Sequence, residues 1–254
     1  MSNAAEYIWS YHFYQDGTID VEIKLTGIVQ TYVTTEGEPN PYGTTIAPRI
    51  NAQYHQHIFS LRVDPMVDGL SNSVLETDVV RSPAPVGSAE NFAGNAFTTK
   101  GEILKEEGPR DYDLAADRRW RIVNKNSKHY ASGEYGGYGI NTKGGATLLL
   151  AKEGSWAAQK ATFASKSLWV VKDKENENGT ERMWPSGKHV PQVRGEIKDS
   201  IGHWVEGKAG VDDEDILVFV TVGKSSRHIS GPCIHTCYSL AGVTHIPRPE
   251  DFPV

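Results

Sequence analysis

The sequence predicts an all-β domain with long loops. Several short segments alternate apolar and polar residues, or are rich in β-branched and aromatic residues, as strands are. Segments rich in Gly, Pro, Asn and Ser separate them, and these residues favour turns. Only residues 155–166 have a helical pattern, and that segment is short. Because the 254 residues contain no internal repeat and no interdomain linker, we expect one large domain.

The clearest strand prediction covers residues 19–25, where apolar and charged residues alternate. One face carries Ile19, Val21, Ile23 and Leu25, and the other carries Asp20, Glu22 and Lys24. A period of two is typical of a half-buried strand. The Asp16-Gly17 pair just before it favours a hairpin turn, and the aromatic-rich residues 7–14 supply the partner strand. We therefore expect an antiparallel hairpin near the start of the chain.

Further strands are predicted along the rest of the chain, with turn-rich loops between them. The strand segments are residues 57–63, 118–124, 146–151, 167–172 and 215–222. The loops are residues 36–43, 81–95 and 174–187. This order indicates sheets built from short strands with a single helical connection.

Charge and composition exclude several classes of partner. The net charge is -6 and no dense Lys or Arg cluster is present, which argues against nucleic acid. No apolar run approaches the roughly 18 residues of a membrane-spanning helix, so no membrane partner is expected. No signal peptide is visible in the first residues, and the compartment stays unknown. The cysteines, Cys233 and Cys237, are too few for a disulfide scaffold.

His55 and His57 form a His-x-His pair at the start of a predicted strand. Residues i and i+2 of a strand point the same way, so both imidazoles would lie on one face and could share a metal ion. Imidazole suits copper, zinc, iron and nickel, but at least one more ligand is needed from elsewhere in the chain. The alternative is a pair of hydrogen-bonded histidines that fill the sheet.

The segments around this pair resemble one known family. Residues 55–64, HQHIFSLRVD, resemble the segment that carries two copper ligands in the copper amine oxidases. Residues 11–27 resemble the strand pair that follows the cofactor tyrosine of that family. Residues 244–254, THIPRPEDFPV, resemble the segment with the third copper ligand, which is His245 here. These motifs stand in the family's order along nearly the whole chain.

The resemblance implies a fold and a chemistry. The fold would be a large β-sandwich in a homodimer. The activity would be oxidation of primary amines by dioxygen to aldehydes, with release of ammonia and hydrogen peroxide. Copper would be held by His55, His57 and His245, and the organic cofactor would be topaquinone, made from a tyrosine of the protein.

The resemblance also implies a second metal site with oxygen ligands, suited to calcium or manganese. The matching positions are Asp64, the carbonyl of Pro65, Asp215 and the carbonyl of Ile216. Some relatives have another aspartate two residues after the first, where Met66 stands here. The alternative for both aspartates is the ordinary polarity of strand ends.

The sequence departs from the family at the cofactor motif and at both ends. The family motif Asn-Tyr-Asp/Glu-Tyr falls on residues 4–7, and Ala5 stands where the quinone-precursor tyrosine belongs. Tyr7 matches the second tyrosine of the motif. The family's catalytic aspartate base lies upstream of this motif, so no catalytic residue is assigned in this chain. We expect the chain to be a partial catalytic domain, incomplete at both ends.

Residues 224–242 interrupt the resemblance. Deleting these 19 residues joins the strand 215–223 directly to the segment that carries His245, as in the family. Codons for Gly-Lys-Ser and Leu-Ala-Gly at the two edges can contain splice donor and acceptor sequences. Our hypothesis is a translated intron. It also accounts for His228, Cys233, His235 and Cys237, whose spacing fits no common zinc motif well.

Three functions remain open at this point. The first is a copper-dependent primary-amine oxidase. The second is a catalytically inactive copper-binding fragment of such an enzyme. The third is an unrelated β-sandwich binding module with a three-histidine zinc site. A quinone stain and metal analysis of the purified protein discriminate among them.

Overall fold

The structure is a computed structural model that describes residues 6–26, 29–142, 148–174, 182–190, 195, 197–226 and 236–245. For Glu6, Thr26 and residues 224–226 and 236–245 only the backbone is described. Within these ranges the strands are β1 (Glu6–Phe13), β2 (Ile19–Thr26), β3 (Thr31–Val33), β4 (Gly43–Ala47), β5 (Ile50–Gln53), β6 (His55–Val63), β7 (Ser73–Arg81), β8 (Phe97–Ile103), β9 (Gly108–Arg110), β10 (Arg119–Lys128), β11 (Tyr135–Ile140), β12 (Leu168–Lys172), β13 (Ile216–Ser226) and β14 (Thr236–His245). The helices are α1 (Trp156–Lys160), a 3-10 helix (Thr162–Ser165) and α2 (Ile201–Trp204).

The strands form three antiparallel sheets. The large sheet has seven strands in the order β1-β2-β14-β11-β10-β7-β8. The small sheet has four strands in the order β6-β13-β12-β9, and β3, β5 and β4 form a separate sheet of three. The large and small sheets pack face to face, so the predicted all-β sandwich is confirmed.

The first hairpin has the predicted form. β1 and β2 pair antiparallel with Phe13 opposite Ile19, and the turn between them contains Gly17 at a φ of 81°. A positive φ suits glycine, which has no Cβ to clash. Val21 and Ile23 are 4% and 1% exposed, so the apolar face of β2 is the buried one.

The main core lies between the two sheets. The large sheet contributes buried residues such as Ile23, Val74, Trp120 and Ile122, and the small sheet contributes Val170, Val218 and their neighbours. Each fully buried side chain of this size contributes on the order of 1.5–3 kcal/mol through removal of apolar surface from water. The two sheets are therefore held together chiefly by hydrophobic packing.

The small sheet is covered on its other face too. Trp169, Leu217 and Phe219 point away from the main core and form a second cluster with Ile201 of α2 and with Trp204. This two-sided burial explains why β12 and β13 read as continuous apolar runs rather than as alternating ones.

Two sequence predictions need correction. Residues 148–151 are not a strand, because the Gln56 side chain satisfies this backbone instead of a neighbouring strand: its amide donates to the Leu148 carbonyl and accepts from the Leu150 N–H. The helix predicted at 155–166 is split into α1 and the 3-10 helix. Ser155 caps α1 by accepting a hydrogen bond from the Ala158 N–H.

Asp212 joins the two sheets through a polar cluster. Its carboxylate pairs with Lys105 and with Lys125 of β10, and accepts a hydrogen bond from Ser73 of β7. Burial raises the pKa of Asp212, but these three hydrogen bonds outweigh it and lower the pKa to about 2. The cluster ties the loop before β13 to the large sheet.

β14 places part of the predicted insertion within the large sheet. Its backbone pairs with β2 from Thr236 to Val243, and its end pairs with β11, with His245 opposite Tyr138. No helix within the described ranges is both long and apolar enough to cross a membrane.

Candidate metal centre

His55 and His57 lie on one face of β6, as strand periodicity predicts. Phe59, Leu61 and Val63 follow on the same face and pack against the main core. The two imidazole centroids are 4.7 Å apart with the rings nearly perpendicular at 79°. The pair therefore sits at the end of the inner face of the small sheet, close enough to bind one ion.

The Nδ1 atom of each ring is held by an oxygen. His55 Nδ1 lies 3.0 Å from the Gln53 carbonyl oxygen, and a carbonyl can only accept, so this nitrogen donates. Nε2 is then the His55 nitrogen whose lone pair can bind a metal. His57 Nδ1 lies 3.1 Å from the Tyr7 hydroxyl, which can accept or donate.

Burial lowers the pKa of His57, and the neighbouring His55 lowers it further. Both effects favour the neutral form of His57. Neutral imidazole is the form that binds metal ions, because only it has a nitrogen lone pair.

Two aromatic rings of the large sheet pack against His57 and Phe59 of the small sheet. The Tyr7 ring meets His57 edge-on at 5.7 Å between centroids and Phe59 at 5.6 Å. Trp9 contacts Phe59 at 5.5 Å. Because β1 belongs to the large sheet and β6 to the small one, the site lies between the edge strands of the two sheets.

The third predicted copper ligand and several other residues singled out in the sequence lie outside what the structure describes. The backbone of His245 is the last position of β14, but its side chain is outside the described atoms. The same holds for the Cys237 side chain and for residues Ala5, His228, Cys233 and His235.

A second group of candidate ligands lies at the far end of the small sheet. Carboxylate oxygens of Asp64, Asp173 and Asp215 all lie within 4.8 Å of one another. Asp64 directly follows β6, Asp173 directly follows β12, and Asp215 directly precedes β13. Since β13 runs antiparallel to both neighbours, its start meets their ends. Two of these aspartates were predicted, and Asp173 was missed.

Asp173 could have been found from strand order alone. It follows a predicted strand, just as Asp64 does, and an antiparallel arrangement of the three strands brings such positions together. The backbone confirms this closeness, because the Asp173 N–H donates to the Asp215 carbonyl at 2.8 Å. Pro65 and Ile216, whose carbonyls were predicted as ligands, are both buried, whereas Met66 is 72% exposed.

A buried ion pair fixes the chain next to Asp173. Arg182 and Glu107 side chains are 4% and 1% exposed and 2.8 Å apart. Arg182 also donates to the Lys172 carbonyl, while Glu107 accepts from the Lys172 N–H. Both backbone groups of the residue before Asp173 are thus held by one ion pair, which the sequence did not indicate.

Comparison with known proteins decides the family. A family model described as "Copper amine oxidase, enzyme domain" matches residues 4–232. The chain belongs to the copper amine oxidase family.

Relatives among the copper amine oxidases match over almost the whole chain. A peroxisomal primary amine oxidase of Pichia angusta is 39% identical over 98% of this chain and 33% of its own length. A histamine oxidase of Arthrobacter globiformis is 36% identical over 98% of this chain and 32% of its own length. A crystal structure of a copper-containing benzylamine oxidase from Hansenula polymorpha superposes with a TM-score of 0.85 at 27% identity, covering 96% of this chain and 37% of that one. The chain spans about a third of the length of these relatives.

Copper amine oxidases use copper and topaquinone, and the histidine pair fits the metal. Two imidazoles on one strand face, with Nδ1 engaged by an oxygen in each ring, have the arrangement of metal-binding histidines whose outer nitrogen is held by a second partner. For the quinone, the motif register predicted from the sequence places Ala5 at the precursor position, and a methyl side chain cannot become a quinone.

Proposed function

We propose that this chain is the copper-binding part of a primary-amine oxidase. The reaction would be RCH2NH2 + O2 + H2O → RCHO + NH3 + H2O2. The amine loses two electrons and two hydrogens, and dioxygen gains them. The observation that carries this proposal is the His55–His57 pair on the inner face of β6, with both Nδ1 atoms engaged.

In this proposal the ligands of copper are His55, His57 and His245. Bound copper and a tyrosine-derived quinone would together supply the electron-transfer chemistry. The chain's own residues bind and orient the metal: the Gln53 carbonyl fixes one ring, and Tyr7 with Phe59 packs against the other.

Copper titration of the purified full chain tests this assignment. The native chain should bind one Cu(II), and His57→Ala should weaken binding by more than about 100-fold, because a direct ligand matters more than its outer-shell partners. His12→Ala is the matched control, since His12 is on β1 with a side chain 48% exposed and pairs with Glu22. Equal affinity of all three proteins would refute the copper site.

A second candidate function is a copper-binding protein without amine oxidase activity. It is favoured by the motif register predicted from the sequence, which places Ala5 at the precursor position. The native chain loaded with copper in air should then give no quinone redox stain, no phenylhydrazine adduct and no peroxide from primary amines.

The variant Ala5→Tyr tests the register of this assignment. With copper and dioxygen it should become positive in the quinone stain, whereas Tyr7→Phe in the native background should leave the stain negative. A quinone in the native chain would contradict the placement of Ala5.

We also propose a second metal site for calcium or manganese. Its ligands would be Asp64, the Pro65 and Ile216 carbonyls, and Asp215. Asp173 is added to this set as a third carboxylate, because its oxygen lies within 4.8 Å of the other two. It offers a charge in a site where Met66 replaces the aspartate of some relatives.

Calorimetric titration with Ca²⁺ and Mn²⁺ tests the second site. Asp173→Asn should weaken binding, because it removes one of three negative charges that attract the ion. Asp117→Asn is the control, since Asp117 is 47% exposed and pairs with Arg119 rather than with the aspartate cluster. Unchanged affinity in Asp173→Asn would exclude this residue from the ligand set.

Residues 224–242 remain a proposed insertion, and the homodimer a proposed assembly. The family match ends at residue 232, inside this segment. Sequencing of transcripts across codons 223–243 tests the intron hypothesis, and absence of GT and AG at the segment edges would contradict it. Light scattering of the purified chain measures whether it is a dimer.

A further inference from the structure

We propose that Tyr7 is a positioning residue for copper ligand His57. In this inference the Tyr7 hydroxyl accepts a hydrogen bond from His57 Nδ1–H and so presents Nε2 to the metal. The inference rests on the proposed copper-binding role of His57 and adds a residue to it.

The contact joins two strands that are far apart in the chain. Tyr7 and His57 are 50 residues apart, and their strands belong to different sheets. The Oη–Nδ1 distance is 3.1 Å, and the two rings meet edge-on at an angle of 60°. Tyr7 also packs against Phe59 at 5.6 Å, so its ring is fixed by two neighbours on β6.

The direction of this hydrogen bond decides whether His57 can bind copper through Nε2. A neutral imidazole carries one proton, so a proton on Nδ1 leaves the Nε2 lone pair available. If the hydroxyl donated instead, the proton would sit on Nε2 and that nitrogen could not be a ligand. His55 has the same arrangement, with Nδ1–H donating to the Gln53 carbonyl. The Tyr7 hydroxyl would therefore serve His57 as the Gln53 carbonyl serves His55, by accepting a hydrogen bond from Nδ1–H.

The geometry also separates Tyr7 from a copper ligand. Its hydroxyl lies on the Nδ1 side of the His57 ring, opposite the nitrogen that would face the metal. In this inference Tyr7 acts through His57 and is not itself a ligand.

The variant Tyr7→Phe removes the hydroxyl and keeps the ring packing. Loss of an outer-shell partner of a metal-binding histidine typically weakens metal affinity by about 10–100-fold, and we expect that range for Cu(II). Pulsed EPR of the Cu(II) protein should show a changed signal from the remote imidazole nitrogen, because Nδ1 loses its hydrogen bond. Tyr11→Phe is the matched control, since Tyr11 is on the same strand and 55% exposed.

The outcomes separate this inference from the copper assignment. If His57→Ala loses copper but Tyr7→Phe matches the native chain in affinity and in the nitrogen signal, the inference is wrong and the copper site stands. If His57→Ala binds copper as the native chain does, both are wrong. Nitrogen NMR of the native Zn²⁺-loaded chain needs no variant: Nδ1–H with metal on Nε2 supports the inference, and metal on Nδ1 overturns it.

Discussion

Replacing Arg182 with Met should lower the free energy of unfolding by about 3–5 kcal/mol. The guanidinium is 4% exposed and donates to Glu107 at 2.8 Å, to the Lys172 carbonyl at 2.7 Å and to the Trp204 carbonyl at 3.1 Å. Methionine keeps the apolar stem but removes the charge and all three hydrogen bonds. The carboxylate of Glu107 then stays buried with only backbone N–H donors.

The cost comes mainly from that uncompensated carboxylate rather than from the lost attraction. Glu107 would retain hydrogen bonds from the Lys172 N–H at 3.3 Å and the Ala209 N–H at 3.2 Å. The double variant Glu107→Gln with Arg182→Met removes the buried charge and keeps an acceptor oxygen for one of these two donors, because they bond to different carboxylate oxygens. It should therefore recover part of the stability, because a buried ion pair as a whole contributes little.

Urea unfolding followed by fluorescence measures both variants. The slope of free energy against urea should stay constant, which shows that the compactness of the two states is unchanged. Arg119→Met is the control, because Arg119 is 65% exposed and its loss should cost less than about 0.5 kcal/mol. A loss below about 1 kcal/mol for Arg182→Met, with no recovery in the double variant, would refute the argument from burial.

Two further predictions follow from the core and from pH. Because the fold lowers the pKa of Asp212 from 3.8 to about 2, its contribution is full above pH 4 and is lost as the pH falls toward 2. The shift corresponds to at most about 2.4 kcal/mol, and screening around the 69% exposed Lys105 reduces the expected value to about 1 kcal/mol. The stability difference between native and Asp212→Asn should therefore shrink when unfolding is repeated at pH 7, 5 and 3, and a constant difference would contradict this. Gly137→Ala should cost at least about 1–3 kcal/mol in thermal unfolding, since its Cβ would lie 2.1 Å from the Ile122 carbonyl oxygen, whereas Gly139→Ala meets no atom within 4 Å and should unfold nearly as the native chain.

Strands that bury apolar side chains could be predicted from the sequence pattern. A strand whose charged side chains form ion pairs across the sheet could not. β2 alternates, and β13 is a continuous apolar run, so the sequence shows both directly. β7 carries Glu76 and Asp78, and these partly buried carboxylates pair with Arg118, which a periodicity argument treats as solvent-facing. The alternation of residues along a strand indicates which apolar side chains are buried. It does not indicate which charged side chains form ion pairs with residues elsewhere in the fold.

In the candidate sites, too, features set by a single strand could be predicted, and contacts between the two sheets could not. The face shared by His55 and His57 follows from a period of two along one strand. The Tyr7 contact depends on how two sheets lie against each other, and no spacing within either strand indicates it. The position of Asp173 needs more than one strand but less than the full fold, since the order of the antiparallel strands suffices to place it beside Asp215.

The position of β13 has a consequence for hydrogen exchange. The strand lies between the two hydrophobic clusters, so its amides should exchange only when the whole sandwich opens. Near one end of the β6–β13 pairing, His57 lies opposite Lys224. The other end of the pairing lies next to Asp64 and Asp215. Seven residues of extended strand separate His57 from Asp64, about 23 Å. An ion bound at either end would slow opening of the same ladder, so removal of an ion from the proposed aspartate site should speed amide exchange next to the histidines.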